Sequence, residues 1–318
     1  MITTNKTTGA PEFYDFSEPQ KIRDEFEKNG FAIFRNVIDS DLIAEANNHV
    51  QWLTQKYPHL RPEHFHHPLM RDDAFWVRLV SDERLQKIAN IFLGPELACF
   101  TAHYICKPAF DGHAVLWHQD GAYWNLQPMN ALTLWLAIDA SNCSNGCLKM
   151  IPGSHKLPLL KPEQRSDVPN MLFSSVESSV VKSWLEKVGV VDIELNPGDV
   201  SIHHPNIIHG SEANTSPNRR CGLDMGFITP STKICNKGLY LDPLLVKGEP
   251  VEGINSYRPY PEYTPGETVE FRASEEWNLY AREINQRYGF VKSNSESVTQ
   301  VTQRMIERLQ EGTLKEGN

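Results

Sequence analysis

The feature that most limits the fold is a series of short strand-like runs between residues 97 and 228, separated by turn signals. The runs cover residues 97–107, 131–139, 147–151, 190–195, 200–203, 207–211 and 221–228. A doubly wound parallel sheet needs a helix between successive strands, whereas one helical insert, near residues 174–187, interrupts these runs. The pattern therefore predicts an antiparallel sandwich or jelly roll.

Helical patterns flank this strand-rich core on both sides. Apolar spacing and capping residues predict helices over residues 17–30, 40–57, 72–92, 274–287 and 296–309, with a strand at 31–37. We therefore expect a single domain over residues 1–318. Its predicted parts are a helical N-terminal part at about 17–95, a jelly-roll core at about 96–230 and C-terminal helices at about 270–312.

The charge balance argues against several classes of partner. The chain has 31 Lys and Arg against 40 Asp and Glu, a formal net charge of −9. Such a chain lacks the basic stripe that nucleic acid or an anionic membrane would require. No apolar run approaches the roughly 20 residues that span a bilayer, and no apolar segment near the N-terminus signals secretion. We expect a soluble, cytoplasmic protein with a small-molecule partner, and self-association stays open.

The six cysteines are too few for a disulfide scaffold. Cys143 and Cys147 form a C-x3-C pair that could be half of a zinc site, but no second pair has matching spacing. Asn145-Gly146 between them is typical of a hairpin turn. We interpret the cysteines as reduced, structural thiols.

A candidate metal site begins at Trp117-His118-Gln119-Asp120-Gly121. In an extended segment residues two apart point to the same face, so His118 and Asp120 can reach one ion. With a distant histidine they would form a 2-His-1-carboxylate facial triad, the ligand set of non-heme Fe(II) oxygenases. In a chain with 12 histidines, one H-x-D match carries little weight alone.

Three histidines compete for the third ligand position: His203, His204 and His209. We prefer His209, because a short strand after Pro205 would direct it inward and Gly210 would give close backbone access. His203 and His204 lie on or beside an apolar strand, where a histidine is more often a hydrogen-bonded part of the core.

An arginine pair lies downstream of these histidines. Arg220, eleven residues after His209, begins an apolar strand. A buried guanidinium needs an anion, and a dicarboxylate supplies one that binds in a bidentate manner. Adjacent strand residues face opposite ways, so Arg219 and Arg220 cannot both point inward.

In this order, the motifs resemble the phytanoyl-CoA dioxygenase family of Fe(II)/2-oxoglutarate oxygenases. The resemblance runs from Asn29-Gly30-Phe31 to about Ile228. Its further pieces are Trp117-His118-Gln119-Asp120, Leu134-Trp135-Leu136-Ala137-Ile138-Asp139, Asn145-Gly146-Cys147-Leu148, Ile151-Pro152-Gly153-Ser154-His155, Pro197-Gly198-Asp199, His209-Gly210-Ser211 and Arg220.

The resemblance implies a mainly β fold with flanking helices and a double-stranded β-helix (jelly roll, cupin-like) core. It also implies a role for seven residues: His118, Asp120 and His209 as iron ligands, and Arg220, Ser211, Trp135 and His103 as contacts of 2-oxoglutarate. The implied reaction consumes O2 and oxidises a small organic molecule, by hydroxylation in the usual case, with release of succinate and CO2.

Two other classes stay open at this point: a cupin-like metal hydrolase, in which metal-bound water is the nucleophile, and a non-enzymatic metal- or 2-oxoglutarate-binding sensor. The substrate is not identified by the sequence. No basic cluster that a CoA phosphate would need is evident, which favours a smaller molecule. Tyr123 and Trp124 are equally consistent with substrate contacts and with core aromatics.

Overall fold

The computed structural model describes residues 13–14, 17–172, 174–235, 242–291 and 298–310. Within these ranges the chain forms seven α-helices: α1 Pro19–Asn29, α2 Ser40–Lys56, α3 Ala74–Val80, α4 Glu83–Leu93, α5 Ser178–Val188, α6 Ser274–Tyr288 and α7 Val298–Gln310. The same ranges hold sixteen strands: β1 Phe13–Tyr14, β2 Phe31–Phe34, β3 Phe65–His66, β4 Leu97–Lys107, β5 Val115–His118, β6 Leu126–Gln127, β7 Ala131–Ala137, β8 Leu148–Met150, β9 Glu163–Gln164, β10 Ser174–Ser175, β11 Val191–Ile193, β12 Val200–His203, β13 His209–Ser211, β14 Arg220–Ile228, β15 Lys233–Ile234 and β16 Leu244–Lys247.

The helices follow the predicted positions, with one correction. The single helix expected over residues 72–92 is two helices, α3 and α4. Asp82 caps the second, because its side chain accepts a hydrogen bond from the backbone N–H of Arg84. Within the described residues, none of the helices combines the length and apolar character that crossing a membrane requires.

Two facing sheets form the core, and their strands pair antiparallel except for β1 and β2, which pair in parallel. The larger runs in the order β1-β2-β12-β7-β14-β4-β16, with β3 also on β4, and the smaller runs β11-β8-β13-β5. From β4 to β14 the core strands alternate between the two sheets, except that β8 and β11 are neighbours in the smaller one, and this is the topology of a double-stranded β-helix. The predicted fold class is confirmed, and β1, β2, β3 and β16 widen the larger sheet beyond residues 96–230.

The two faces of the larger sheet bury different sets of side chains. On β7, Leu134 and Leu136 pack with helix residues such as Phe75 of α3, whereas Trp135 and Ala137 pack with the smaller sheet. This follows from the two-residue period of a strand. The space between the sheets is therefore lined by the odd-numbered residues of β7 and by their cross-strand partners.

Backbone pairing places inward-facing residues in rows across the larger sheet. One row, here called the tryptophan row, contains Ser201, Trp135, Asp224, His103 and His66. The next, the threonine row, contains His203, Thr133, Gly226 and Thr101. At the other end of the sheet, Arg220 pairs with Lys107. These rows position the candidate site.

Candidate metal centre

His118, Asp120 and His209 lie together between the sheets. His118 ends β5 and pairs directly with His209 on β13, while Asp120 begins a 3-10 turn over Asp120–Tyr123. One ligand atom from each residue lies within 4.8 Å of the other two. The Oδ1 atom of Asp120 is 3.3 Å from Nε2 of His118 and 3.5 Å from Nε2 of His209. Two imidazoles and one carboxylate oxygen in this arrangement suit one divalent ion.

Backbone contacts fix the orientation of both imidazole rings. The Nδ1 atom of His118 bonds to the carbonyl of Leu116 at 2.8 Å, and Nδ1 of His209 bonds to that of Ile207 at 3.1 Å. Because a carbonyl only accepts, Nδ1 carries the proton in each ring and Nε2 keeps its lone pair. Burial also lowers the pKa of His209 well below its ordinary value, which favours the neutral form that binds metals.

The second oxygen of Asp120 is held by the protein. Thr133 donates its hydroxyl to Oδ2 at 2.8 Å, and the Nε2 atom of His203 lies 3.0 Å from the same oxygen. Burial would raise the pKa of Asp120, but its contacts with His209, His118 and His203 hold that pKa well below its ordinary value. His203 therefore contacts the centre through Asp120, and Oδ1 is left for an ion.

Removing the hydroxyl of Thr133 is expected to weaken metal binding. Thr133→Val keeps the side-chain shape but deletes the donor to Asp120, and such outer contacts typically contribute about 10- to 100-fold in metal affinity. The measurement is Mn(II) or Fe(II) affinity by titration under argon. Thr54→Val is the control, because its hydroxyl bonds a carbonyl within α2. Equal affinities in the two variants would contradict the role given to Thr133.

A buried cation lies at the far end of the sheet. Arg220 is fully buried, and its Nε and Nη2 atoms donate to the carbonyl of Gly146 at 3.0 and 2.6 Å. Burial lowers the pKa of Arg220 to about 10, which leaves it charged at neutral pH. No carboxylate of the described residues forms an ion pair with it. An unpaired buried guanidinium is costly, so this position suits an anionic ligand.

Lys107 and Ser211 lie beside this arginine. Lys107 is fully buried and donates from Nζ to Oγ of Ser211 at 2.7 Å and to the carbonyl of Glu212. Ser211 lies two residues after His209 on β13, so it faces the same interior. The contact thus links the arginine end of the interior to the strand that carries His209.

Trp135 lies between the metal centre and the arginine. Its ring centroid is 5.4 Å from the Arg220 guanidinium carbon, and a Cβ atom at Gly222 would lie 2.0 Å from the indole. Glycine at position 222 is therefore required for this packing. The indole Nε1 is buried without a partner among the described residues, so it is a free donor for a ligand.

His103 faces the same interior but is partly committed elsewhere. Its Nε2 atom donates to the carbonyl of Glu63, and its ring stacks on His66 at 3.7 Å. Burial lowers its pKa to about 3, so the ring is neutral. Only Nδ1 of His103 is therefore left to contact a cosubstrate.

Other candidates from the sequence lie outside the centre. The rings of His204 and His155 lie 5.3 Å apart, and Arg219 forms a two-point ion pair with Asp139 at 2.8 Å. Tyr123 lies beside His118, with ring centroids 6.2 Å apart, whereas Trp124 packs edge-on against an apolar core residue. Of the two aromatics, Tyr123 is the one near the metal centre.

A second group with possible ligands surrounds the C-x3-C pair. Ligand atoms of Cys143, Cys147 and Asp192 lie within 4.8 Å of one another. Burial raises the pKa of the Cys143 thiol to about 11 and that of Cys147 further, and Lys149 pairs with Asp192 at 2.6 Å. Both cysteines are free thiols, in agreement with the sequence interpretation. The expected hairpin turn is instead a 3-10 turn followed by Gly146 in the left-handed region.

The sequence reasoning missed three contributors: Lys107, Thr133 and the contact of His203 with Asp120. Lys107 could have been noticed in the sequence, because a lysine is unusual at the end of a mostly apolar, buried strand. Thr133 lies two residues before Trp135, so the sequence alone predicts that both side chains lie on the same face of the strand. His203 was interpreted as a core histidine, and the bond to Asp120 depends on tertiary packing.

Comparisons with known proteins agree with this arrangement. A family model described as phytanoyl-CoA dioxygenase (PhyH) matches residues 9–222. An ectoine dioxygenase of Sphingopyxis alaskensis is 26% identical over 167 residues, which is 49% of this chain and 55% of the relative. This chain thus spans little more than half the length of the first curated relatives that it matches.

Solved structures share the fold at low identity. The apo form of the non-heme monooxygenase ThoJ superposes with a TM-score of 0.60 at 20% identity, covering 88% of this chain and 98% of that one. EctD from S. alaskensis with 2-oxoglutarate and 5-hydroxyectoine superposes with a TM-score of 0.57 at 19% identity, covering 76% and 88%. At these identities the likeness shows the fold.

Proposed function

The chain belongs to the phytanoyl-CoA dioxygenase family, and from this membership and the geometry of the centre we propose that it is an Fe(II)- and 2-oxoglutarate-dependent dioxygenase. The observation that carries the proposal is the joint presence of a facial ligand set and a fully buried arginine without a carboxylate partner among the described residues. A facial set leaves coordination positions for a cosubstrate, and the arginine supplies the charge that a second carboxylate needs.

The residues present fit both groups. His118, Asp120 and His209 would hold the iron, because their free atoms are two imidazole nitrogens and one carboxylate oxygen. Arg220 would bind the distal carboxylate of 2-oxoglutarate, and Ser211, Trp135 and His103 would line its pocket. When bound, iron and 2-oxoglutarate would activate O2 for the oxidation of a substrate, and 2-oxoglutarate would be converted to succinate and CO2.

The protein's own contribution is orientation and the exclusion of water. Gly146 and Trp135 hold the Arg220 guanidinium in one direction, through two hydrogen bonds and a cation–π contact. Thr133 and His203 fix the plane of the Asp120 carboxylate. Buried walls on both sheets keep the charged groups in a low dielectric, where their interactions are strongest.

Neither alternative class accounts for both the buried arginine and the complete set of three ligands. A metal hydrolase needs only the ion and its water, so it gives no task to the buried guanidinium of Arg220. A sensor with a degenerate site would be expected to lack a ligand, and all three ligand positions are filled by suitable side chains. We propose a small organic molecule as the substrate, as the names of the relatives suggest. The cytoplasmic location and the single catalytic domain stay predictions.

The test is cosubstrate turnover by the purified chain. Under argon, the Fe(II)-loaded protein is expected to bind one 2-oxoglutarate and to develop a visible charge-transfer absorption band. On exposure to O2 it should form succinate and CO2 in equal amounts. The control is 2-oxopentanoate, which lacks the distal carboxylate and should bind far more weakly because Arg220 has nothing to hold. If the protein binds metal but binds 2-oxoglutarate no more tightly than 2-oxopentanoate, the result would support the hydrolase class instead.

A further inference from the structure

Resting on the proposed function, we propose that Asp224 selects the substrate: its carboxylate binds a cationic nitrogen of a small organic molecule next to the carbon that is oxidised. The substrate class is an amine or another organic cation. Three features of Asp224 support this: its position, the absence of a partner for it among the described residues, and its distance from the metal centre.

The position of Asp224 is fixed by the sheet register. It pairs with Trp135 of β7 on one side and with His103 of β4 on the other, in the tryptophan row. Paired residues of an antiparallel sheet share a face, and Trp135 packs against the smaller sheet. The Asp224 side chain therefore faces the interior that contains the candidate centre, and it is only partly buried, which leaves it open to a ligand.

The carboxylate of Asp224 has no hydrogen bond or ion pair among the residues that the structure describes. Arg220, on the same face four residues earlier, donates instead to Gly146. His103 cannot neutralise the acid, because its pKa of about 3 keeps its ring uncharged. A carboxylate in this environment costs stability unless a ligand compensates it.

The electrostatics favour a cation over a neutral ligand. Burial, together with the charge of Asp120, raises the pKa of Asp224 well above its ordinary value, so the empty site favours the protonated acid and a bound cation favours the carboxylate. A neutral hydroxyl would give one hydrogen bond and could not hold the acid in its charged form. An ammonium or similar group donates hydrogen bonds and also balances the charge, and charge-assisted hydrogen bonds are roughly twice as strong as neutral ones.

The distance from Asp224 to the metal centre limits the size of the bound molecule. Asp224 lies one row from Thr133, whose hydroxyl holds Asp120, and neighbouring rows on one face of a strand are about 7 Å apart. If Asp224 binds the nitrogen, the carbons that are a few bonds from that nitrogen lie beside the ion. We expect oxidation at a carbon close to the cationic nitrogen.

The experiment compares matched small molecules with the iron-loaded full chain. Each set shares one carbon skeleton and differs in a single group, which is ammonium, hydroxyl or methyl. Succinate formation and apparent affinity are measured for every member. We expect the ammonium members to be preferred by at least about 30-fold, the usual lower limit when one partner of a buried charge pair is lost.

The key variant is Asp224→Asn, which keeps the shape and removes the charge. It should lose the ammonium preference, keep the metal affinity of the parent, and melt at the same or a higher temperature because an unpaired carboxylate is gone. Its 2-oxoglutarate affinity should be at least that of the parent, because a negative charge beside Trp135 and His103 is removed. The control is Asp192→Asn. Asp192 lies between two inward-facing residues of β11 and pairs with Lys149, so this variant should keep the ammonium preference.

Several outcomes would overturn the proposal. These are an unchanged ammonium preference in Asp224→Asn, equal stimulation by the neutral members, and no stimulation by any ammonium member. A loss of 2-oxoglutarate affinity or a lower melting temperature in Asp224→Asn would show a cosubstrate or structural role instead. If the parent itself fails to bind 2-oxoglutarate, the proposed function falls first and this inference falls with it.

Discussion

His118→Ala is expected to abolish Fe(II) binding and 2-oxoglutarate turnover while the fold stays intact. The variant removes one of three protein ligands, and the remaining pair, Asp120 and His209, cannot form a facial set. The apolar clusters on both faces of the larger sheet do not include His118, so the core keeps its packing. Metal content after dialysis and succinate release under O2 are the two measurements.

The matched control for this variant is His204→Ala. His204 is a partly buried histidine directly after β12, and its Nδ1 atom accepts from the backbone N–H of Asn206, outside the metal centre. It should keep parental metal content and turnover. A His118→Ala protein that still converts 2-oxoglutarate at the parental rate would show that the ligand assignment is wrong.

Arg220→Ala is expected to weaken 2-oxoglutarate binding severely. The side chain is fully buried with no carboxylate partner among the described residues, so the ligand carboxylate would be its only counter-charge there. Loss of one partner from such a pair costs about 2–5 kcal/mol, or roughly 30- to several-thousand-fold in affinity. The measurement is 2-oxoglutarate titration under argon with Fe(II) or Mn(II) bound.

Two further substitutions sharpen this experiment. Arg220→Lys keeps the charge but loses the planar fork that binds a carboxylate at two points, so its affinity should be intermediate. Arg219→Ala should have little effect, because Arg219 points away from the interior and pairs with Asp139. A larger loss in Arg219→Ala than in Arg220→Ala would move the anion site to the opposite face.

The sequence was most informative where structure depends on local patterns. Turn signals and apolar runs predicted the core strands β4, β7, β8, β11, β12, β13 and β14, because a strand with one apolar face repeats every two residues, whereas β5 was not among the predicted runs. The break between α3 and α4 was missed, although Asp82 followed by an acidic residue is typical of a helix start. Apolar residues continue on both sides of this break, so apolar spacing alone does not reveal it.

The residues of the candidate site also fall into two groups: those that the local sequence predicts and those whose position depends on tertiary packing. His118 and Asp120 are two residues apart with an extended backbone at Gln119, so local geometry alone brought them together. His209 lies far along the chain, and the short strand expected after Pro205, with Gly210 beside it, favoured it over two neighbouring histidines before the family resemblance agreed. The bond of Thr133 to Asp120 and the placement of Asp224 depend on strand register, and a sequence does not reveal which residues lie opposite each other across two sheets.

The two donors on one oxygen of Asp120 also determine its denticity. Because Thr133 and His203 occupy Oδ2, the carboxylate would offer an ion Oδ1 alone. Three protein ligands that each give one atom would leave more positions open to other ligands than a set whose carboxylate gave two. A threonine and a histidine that never touch the ion therefore set how many exogenous ligands it can accept at once.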